Sequence, residues 1–279
     1  MQNKPTNRMR RHYTDGEYGQ IHFQSFESGR PIVLLHQSIM TGDQFAAVFE
    51  PLIARGFRPI AIDMPGFGMS DAPRTPPTID EYATCVAPVL NALGIERAAV
   101  AGHHTGSMVA TAAAIAHSDR ISAVILHGVG NIAAADNGRE LINAVVAQEK
   151  AFTPLPGAAH MCEIAALRES FPEPVGPDRI SDYVVQAMLA WQRGAYWYGH
   201  SAARSYDHDA ALPLISQPTL ILTNTGDVMH EYAAGGRALR PDFAYVEIDG
   251  GGIDICDQKP AAWADAIADF LLATEEGIL

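Results

Sequence analysis

The chain is poor in cysteine, in basic residues and in long apolar runs, and each shortage removes a class of protein. Its three cysteines, Cys85, Cys162 and Cys256, are far apart and odd in number. Neither a disulfide framework nor a paired-cysteine zinc motif fits such a set, and all three are expected as small apolar core residues in a reducing compartment. Lys and Arg total 19 against 32 Asp and Glu, a formal net charge of -13. Nucleic acid and anionic membrane surfaces repel such a chain. The expected partner is a small-molecule substrate or ligand, with no nucleic acid and no membrane; a homodimer is left open. No apolar run reaches the roughly 18 residues that span a bilayer. Residues 1–15 are polar and lack an apolar signal-type segment, so a cytoplasmic location is expected.

What is present is an ordinary globular composition, 48% hydrophobic and 18% charged over 279 residues, enough for one α/β domain with an insertion. Residues 31–35, 57–62, 98–101 and 121–126 are short apolar runs of the kind found in strands buried on both faces. Between them, residues 45–55, 79–93 and 106–116 have helical spacing, with Gly94 as a stop signal. Residues 16–26 read as a hairpin, and residues 63–68 as a turn. The cluster Arg11, His12 and Tyr13 reads as a solvated terminus. Strands alternating with helices at this spacing imply a mostly parallel sheet.

The alternation stops near Asn131 and resumes at Pro218. The stretch between is helical but broken by Pro154, Pro156, Pro172, Pro174 and Pro177. It holds Trp191, Tyr196, Trp197 and Tyr198, which fit a pocket roof and a packed core about equally. Strand 219–223, helix 231–239, strand 244–248 and helix 260–272 follow. The expected organisation is therefore core at 1–130, helical cap at 131–217, and core again at 218–279.

Several motifs resemble the α/β-hydrolase superfamily. Leu34, Leu35, His36 and Gln37 resemble the turn on the oxyanion side, usually His-Gly. Residues 63–71 resemble the loop D-x-P-G-x-G-x-S-D. Gly102, His103, His104, Thr105 and Gly106 stand where the nucleophile elbow G-x-S-x-G belongs, between a strand and a helix. Residues 218–227 resemble the segment that delivers the acid. Gly250, Gly251 and Gly252, followed by Pro260 and a last helix, resemble the loop that delivers the histidine. The resemblance implies an α/β-hydrolase fold, a mostly parallel sheet flanked by helices with a helical cap insertion. It makes His36 and His103 common structural residues.

The sequence departs from the pattern at two of three catalytic positions. The nucleophile position holds His104, and the histidine position holds Ile253; the acid remains as Asp227. A serine triad needs a hydroxyl and a base to take its proton, so an acyl-serine esterase is not expected. Without Asp at the elbow the aspartyl-nucleophile route is closed too. An imidazole on the elbow is long enough to reach toward the space vacated at Ile253 and meet Asp227, directly or through a water. A His–Asp pair is a base of fixed tautomer that can activate water or remove a proton. The N–H groups of Thr105 and Ser38 then fall where this superfamily holds an oxyanion. Gln37, in place of glycine, and His103 complete the candidate oxyanion and substrate-binding residues. The elbow residue should carry strained backbone angles.

The expected function is general-base hydrolysis or lyase-type cleavage of a small, mostly apolar carbonyl compound by His104 and Asp227, with no cofactor. The alternative is a non-catalytic small-molecule binder, a degenerate hydrolase. His36, His103, His104, His127 and His230 all fall near predicted strand ends, but their spacing matches no metal motif, so no metal is expected. Cys256, three residues beyond Ile253, is read as core or loop rather than as a nucleophile.

Overall fold

A computed structural model describes residues 8–130 and 138–277. Eight strands form one sheet in the order β1-β2-β4-β3-β5-β6-β7-β8. They are β1 (Arg10–Gly16), β2 (Gly19–Ser25), β3 (Arg30–Leu35), β4 (Phe57–Ile62), β5 (Ala98–His103), β6 (Ile121–His127), β7 (Thr219–Asn224) and β8 (Ala244–Ile248). The pairs β1–β2 and β2–β4 are antiparallel, and all pairs from β4 to β8 are parallel. The central strands are continuous apolar runs because helices cover both faces. Ile32, Val33, Leu34, Leu35, Ile60, Val100, Val124 and Ile221 are all fully buried.

One helical layer comprises α1 (Ala46–Ala54), α11 (Ile255–Gln258) and α12 (Pro260–Glu275); the other contains α2 (Ile79–Ala83), α3 (Val86–Ala92), α4 (Thr105–Ala116) and α10 (His230–Leu239). Between β6 and β7 in the chain come α5 (Gly138–Ala151), α6 (Ala159–Glu169), α7 (Pro177–Gln192), α8 (Tyr198–Ser205) and α9 (His208–Ala211). The expected start of this insertion, at 131, lies outside the described residues.

The hairpin expected at 16–26 begins earlier. Arg11, His12 and Tyr13 are not a solvated terminus but part of β1, paired residue by residue with β2, and the His12 ring stacks on Phe23 at 5.0 Å. The helix expected over 79–93 is two helices. Pro88 has no N–H for the Thr84 carbonyl four residues back, so the helix stops and restarts with Pro88 in its first turn. Cys85 and Cys256 are buried as expected, whereas Cys162 is exposed on α6. Tyr196 and Tyr198 are buried in the main apolar cluster, with Trp191 and Trp197 packed on it. No helix among the described residues is long and apolar enough to cross a membrane.

The insertion is fastened to the loop after β8. Arg168 of α6 pairs with Asp254, both buried. Arg179 of α7 reaches Asp257 at 2.9 Å, where the Tyr183 hydroxyl also donates. Glu173 accepts the Gly251 N–H at 2.8 Å, and Gln258 accepts that of Gly252 at 2.6 Å.

Candidate active site

The parallel strands end together at their carboxyl edge, and ligand sites of open α/β sheets form there. The tightest turn on that edge joins β5 to α4. Gly102 and Gly106 allow it: a Cβ on Gly102 would stand 2.0 Å from the Gly106 carbonyl oxygen, and one on Gly106 2.0 Å from that of Leu35. Between them His104 takes φ 51° and ψ -113°, a strained conformation for a residue with a side chain. The turn is braced from both sides. The His104 N–H donates to the His127 carbonyl at 2.8 Å, and its carbonyl accepts the Ser107 N–H at 2.8 Å.

This geometry throws the imidazole off the sheet edge and across Gly128, where any Cβ would strike the ring at 2.2 Å. His104 Nε2 lies 2.9 and 2.8 Å from the two oxygens of Asp227. Contact is direct, as the length of the side chain suggested. Asp227 is fully buried at its side chain, while that of His104 keeps 14% of its exposure. Among the described residues no hydrogen bond reaches His104 Nδ1, so that edge of the ring is free.

Asp227 sits in the loop after β7, where Oδ1 also accepts the Met229 N–H at 2.8 Å. Two further imidazoles face Oδ2: His127 Nε2 at 3.5 Å and His103 Nε2 at 4.0 Å. Burial alone would raise the Asp227 pKa. The His104 ring, with hydrogen bonding from the imidazoles around it, outweighs burial and holds the carboxyl well below its usual range. Burial, reinforced by the His104 ring, keeps His103 well below the usual histidine value and therefore neutral.

The oxyanion side has two parts. Among the described residues neither the Ser38 N–H nor the Thr105 N–H meets an acceptor, and Thr105 opens α4, where N–H groups lack partners inside the helix. The two side chains hydrogen-bond each other at 2.6 Å, tying the turn after β3 to the elbow. The Gln37 N–H is committed to Gln44 Oε1 at 2.9 Å. Among the described residues the buried Gln37 side-chain amide nitrogen finds no acceptor. His103, expected among the substrate-binding residues, is fully buried, with Nδ1 against Gln44 and Nε2 toward Asp227. Ile253 stands half-buried in the turn after Gly252. His36 is structural: Nδ1 donates to the Gln37 carbonyl and Nε2 accepts the Met64 N–H at 3.0 Å. His230 lies apart, on Glu247. Burial, then Asp257 and Asp254, push the Cys256 thiol well above its usual value, so it is not a thiolate nucleophile.

The residues missed in the sequence are His127 as a neighbour of Asp227, and Trp263 and Gln44 behind the histidines. Trp263 donates to His127 Nδ1 at 2.8 Å from α12. The available signal was position: His103 and His127 end adjacent parallel strands and pair across them. From the insertion, α8 reaches this floor through Gly199, where a Cβ would stand 2.4 Å from Ser38 Oγ.

The sheet order, the strained strand-to-helix turn and an acid after β7 define the α/β-hydrolase fold. Residues 30–153 match the family model described as the alpha/beta hydrolase fold. It is 32% identical over 121 residues to 2-hydroxy-6-oxononadienedioate/2-hydroxy-6-oxononatrienedioate hydrolase 2 of Pseudomonas putida, a match over 40% of this chain and 41% of the relative. The chain thus spans about two fifths of the length of that curated relative. Over nearly its whole length it superposes on a thermophilic esterase from Thermogutta terrifontis, with a TM-score of 0.76 and 23% identity, covering 94% of this chain and 98% of the other. The enol-lactonase from Burkholderia xenovorans superposes with a TM-score of 0.73 and 23% identity, covering 94% of this chain and 100% of the other.

Proposed function

We propose that the protein is an enzyme in which His104, oriented by Asp227, acts as general base on a small, mostly apolar carbonyl compound. The observation that carries this reading is the direct contact of His104 Nε2 with both Asp227 oxygens, at 2.9 and 2.8 Å. An ionised carboxylate draws the ring proton to Nε2, which leaves the Nδ1 lone pair facing the site. In a serine triad the acid takes the Nδ1 proton and Nε2 does the chemistry; here the ring works from its other edge. Nδ1 takes a proton from water or from the substrate, and the imidazolium stays paired with Asp227. The electron pair released reaches the substrate carbonyl oxygen, which the Ser38 and Thr105 N–H groups stabilise. If water attacks, the Nδ1 proton passes to the leaving group as the tetrahedral adduct collapses. If a proton next to the carbonyl is removed instead, the enolate re-forms the carbonyl as the bond to a group on the β-carbon breaks, and that group leaves with the Nδ1 proton, as in a lyase.

The helical insertion at 131–217 serves in this reading as a cap, supported by the approach of Gly199 to Ser38. Similarity to a hydrolase of oxo-dienedioates supports a carbonyl substrate. The second reading, a binder without chemistry, draws on the apolar side chain of Ile253 where the superfamily keeps its histidine.

The test is to incubate wild type and His104→Ala with a metabolite extract and follow every compound by mass spectrometry. Consumption by wild type that is lost in His104→Ala supports the base. A compound retained by both proteins and altered by neither establishes the binder. Equal consumption by both removes His104 from the chemistry.

A further inference from the structure

Two of the three imidazoles around Asp227 have their protons fixed by partners on the far side of the ring. An indole N–H can only donate, so Trp263 makes His127 Nδ1 an acceptor, at 2.8 Å. The His127 proton is then on Nε2. Asn224 agrees: its amide nitrogen is turned to the Gly250 and Gly252 carbonyls, each at 3.3 Å, so its oxygen is the atom facing His127 Nε2, at 2.9 Å. Gln44 has the corresponding place behind His103. Its oxygen accepts the Gln37 N–H at 2.9 Å, which leaves its amide nitrogen to donate to His103 Nδ1. The His103 proton is therefore also on Nε2. That atom is buried, has no hydrogen-bond partner among the described residues, and lies 4.0 Å from Asp227 Oδ2. A buried donor left short of a full bond is costly, and a nearby carboxylate is what compensates it.

We propose that Trp263 and Gln44 lock His127 and His103 into the Nε2–H form, making both rings positioning residues that hold Asp227 ionised and aimed at His104. This rests on the reading of His104 and Asp227 as a working pair. Neither ring touches substrate. From the buried side the His103 N–H has Oδ2 as its nearest acceptor, at 4.0 Å, and the His127 N–H, while donating to Asn224 Oδ1 at 2.9 Å, keeps its positive end 3.5 Å from Oδ2; His104 approaches from the open side. A cationic neighbour would compete with His104 for the carboxylate. A neutral donor supports the negative charge and leaves the ion pair to the ring that must change protonation.

The same protons bear on metal binding. Ligand atoms of His103, His104 and Asp227 come within 4.8 Å of one another, a spacing that can hold an ion. A metal needs the imidazole lone pair. His103 and His127 have spent theirs on Gln44 and Trp263, so only His104 and Asp227 remain to bind. The convergence is built for a carboxylate and not for a cation.

The experiment is nuclear magnetic resonance on the full chain with 15N-labelled histidine near neutral pH. Long-range 1H–15N correlations should show His103 and His127 neutral and protonated at Nε2. Finding either in the Nδ1–H form, or doubly protonated, overturns the proposal. His127→Phe removes one donor, whereas His127→Gln keeps an amide nitrogen near the Nε2 position. The Asp227 carboxyl carbon should titrate about one pH unit or more higher in His127→Phe than in wild type. It should return toward wild type in His127→Gln. Identical titration in all three proteins overturns the proposal; if His127→Phe does not fold, the wild-type tautomers decide alone. Zn2+ should leave both Nε2 protons in place, and loss of either proton to the metal also counts against it. No readout here uses turnover, so failure of the base reading, seen with His104→Ala, is distinguishable from failure of this one.

Discussion

His104 and Asp227 are 123 positions apart in the chain, and the imidazole Nε2 of one lies 2.8 Å from the carboxylate of the other. The imidazole comes from the elbow itself instead of from the loop after the last strand. One turn, braced through the His104 backbone, therefore carries both this imidazole and the Thr105 N–H.

The nucleophile position of the elbow carries an imidazole and no hydroxyl for a phosphonylating probe, and the neighbouring Thr105 hydroxyl is tied to Ser38. Fluorophosphonate reagents should leave the protein unlabelled, as read by intact-protein mass spectrometry. Stoichiometric addition mapping to α4 would contradict the placement of His104.

Ile253→His alone should not generate turnover of p-nitrophenyl acetate, because no serine accompanies it. Ile253→His combined with His104→Ser should exceed either single variant, since Asp227 and the Ser38 and Thr105 N–H groups are retained. A wild-type rate well above that of free imidazole would contradict the first expectation.

On its identified substrate, His104→Ala should lose a factor of roughly 10² to 10⁴ in rate, the usual contribution of a positioned base. Asp227→Asn should also slow the reaction by releasing the ring's tautomer and orientation. Binding should persist in both, which calorimetry with the same ligand can check.

Acid should unfold the protein through its buried histidines. Burial lowers both His36 and His208 from 6.5 to about 4, with only partial compensation from hydrogen bonding and nearby carboxylates. Above 6.5 neither state binds the extra proton and nothing is lost. Between 6.5 and about 4 the unfolded chain takes protons that the folded one refuses. Stability then falls by about 1.4 kcal/mol per pH unit for each group, or about 3 kcal/mol each across the window. The ionised Asp227 adds its loss only below about 3.9, the unfolded carboxylate value. Denaturant titrations at several pH values should give this slope. His36→Gln, which keeps an acceptor for the Met64 N–H, should reduce it by about one proton's share.

Gly199→Ala would place a methyl 2.4 Å from Ser38 Oγ and 3.3 Å from the Phe67 ring. The gain in helix propensity, about 1 kcal/mol, opposes an overpacking cost of about 1–3 kcal/mol. The expected outcome is a small change in thermal midpoint with a clear loss of activity or affinity, because the Ser38–Thr105 bond must give way. Unchanged function would remove this contact from the site.

The central strands were legible because burial on both faces leaves runs such as residues 32–35 and 124–126 wholly apolar. β4 and β8 match their expected limits, and β5 and β6 differ only at their ends. β1 was not, because an edge strand with solvent on one side reads Arg, Arg, His, Tyr, Thr, Asp, as polar as a terminus. The break between α2 and α3 had its signal in Pro88. In the site, His104 and Asp227 were readable from motif register. The approach of His127 and Trp263 was not, since 136 positions separate them and only the sheet order brings them together. His103 looked like a ligand-facing residue because its neighbour is one, yet alternate residues of a strand point to opposite faces.

The loop after β8 holds Ile253 and supplies no imidazole to the Asp227 site. In a serine triad that loop must place an imidazole to within a fraction of an ångström while staying loose enough to let it turn. Here residues 250–254 are gripped by Glu173, Gln258 and the buried Arg168–Asp254 pair. This segment is an anchorage for the insertion. Substitutions at Asp254 or Arg168 should therefore loosen the attachment of the insertion while leaving the His104–Asp227 contact intact.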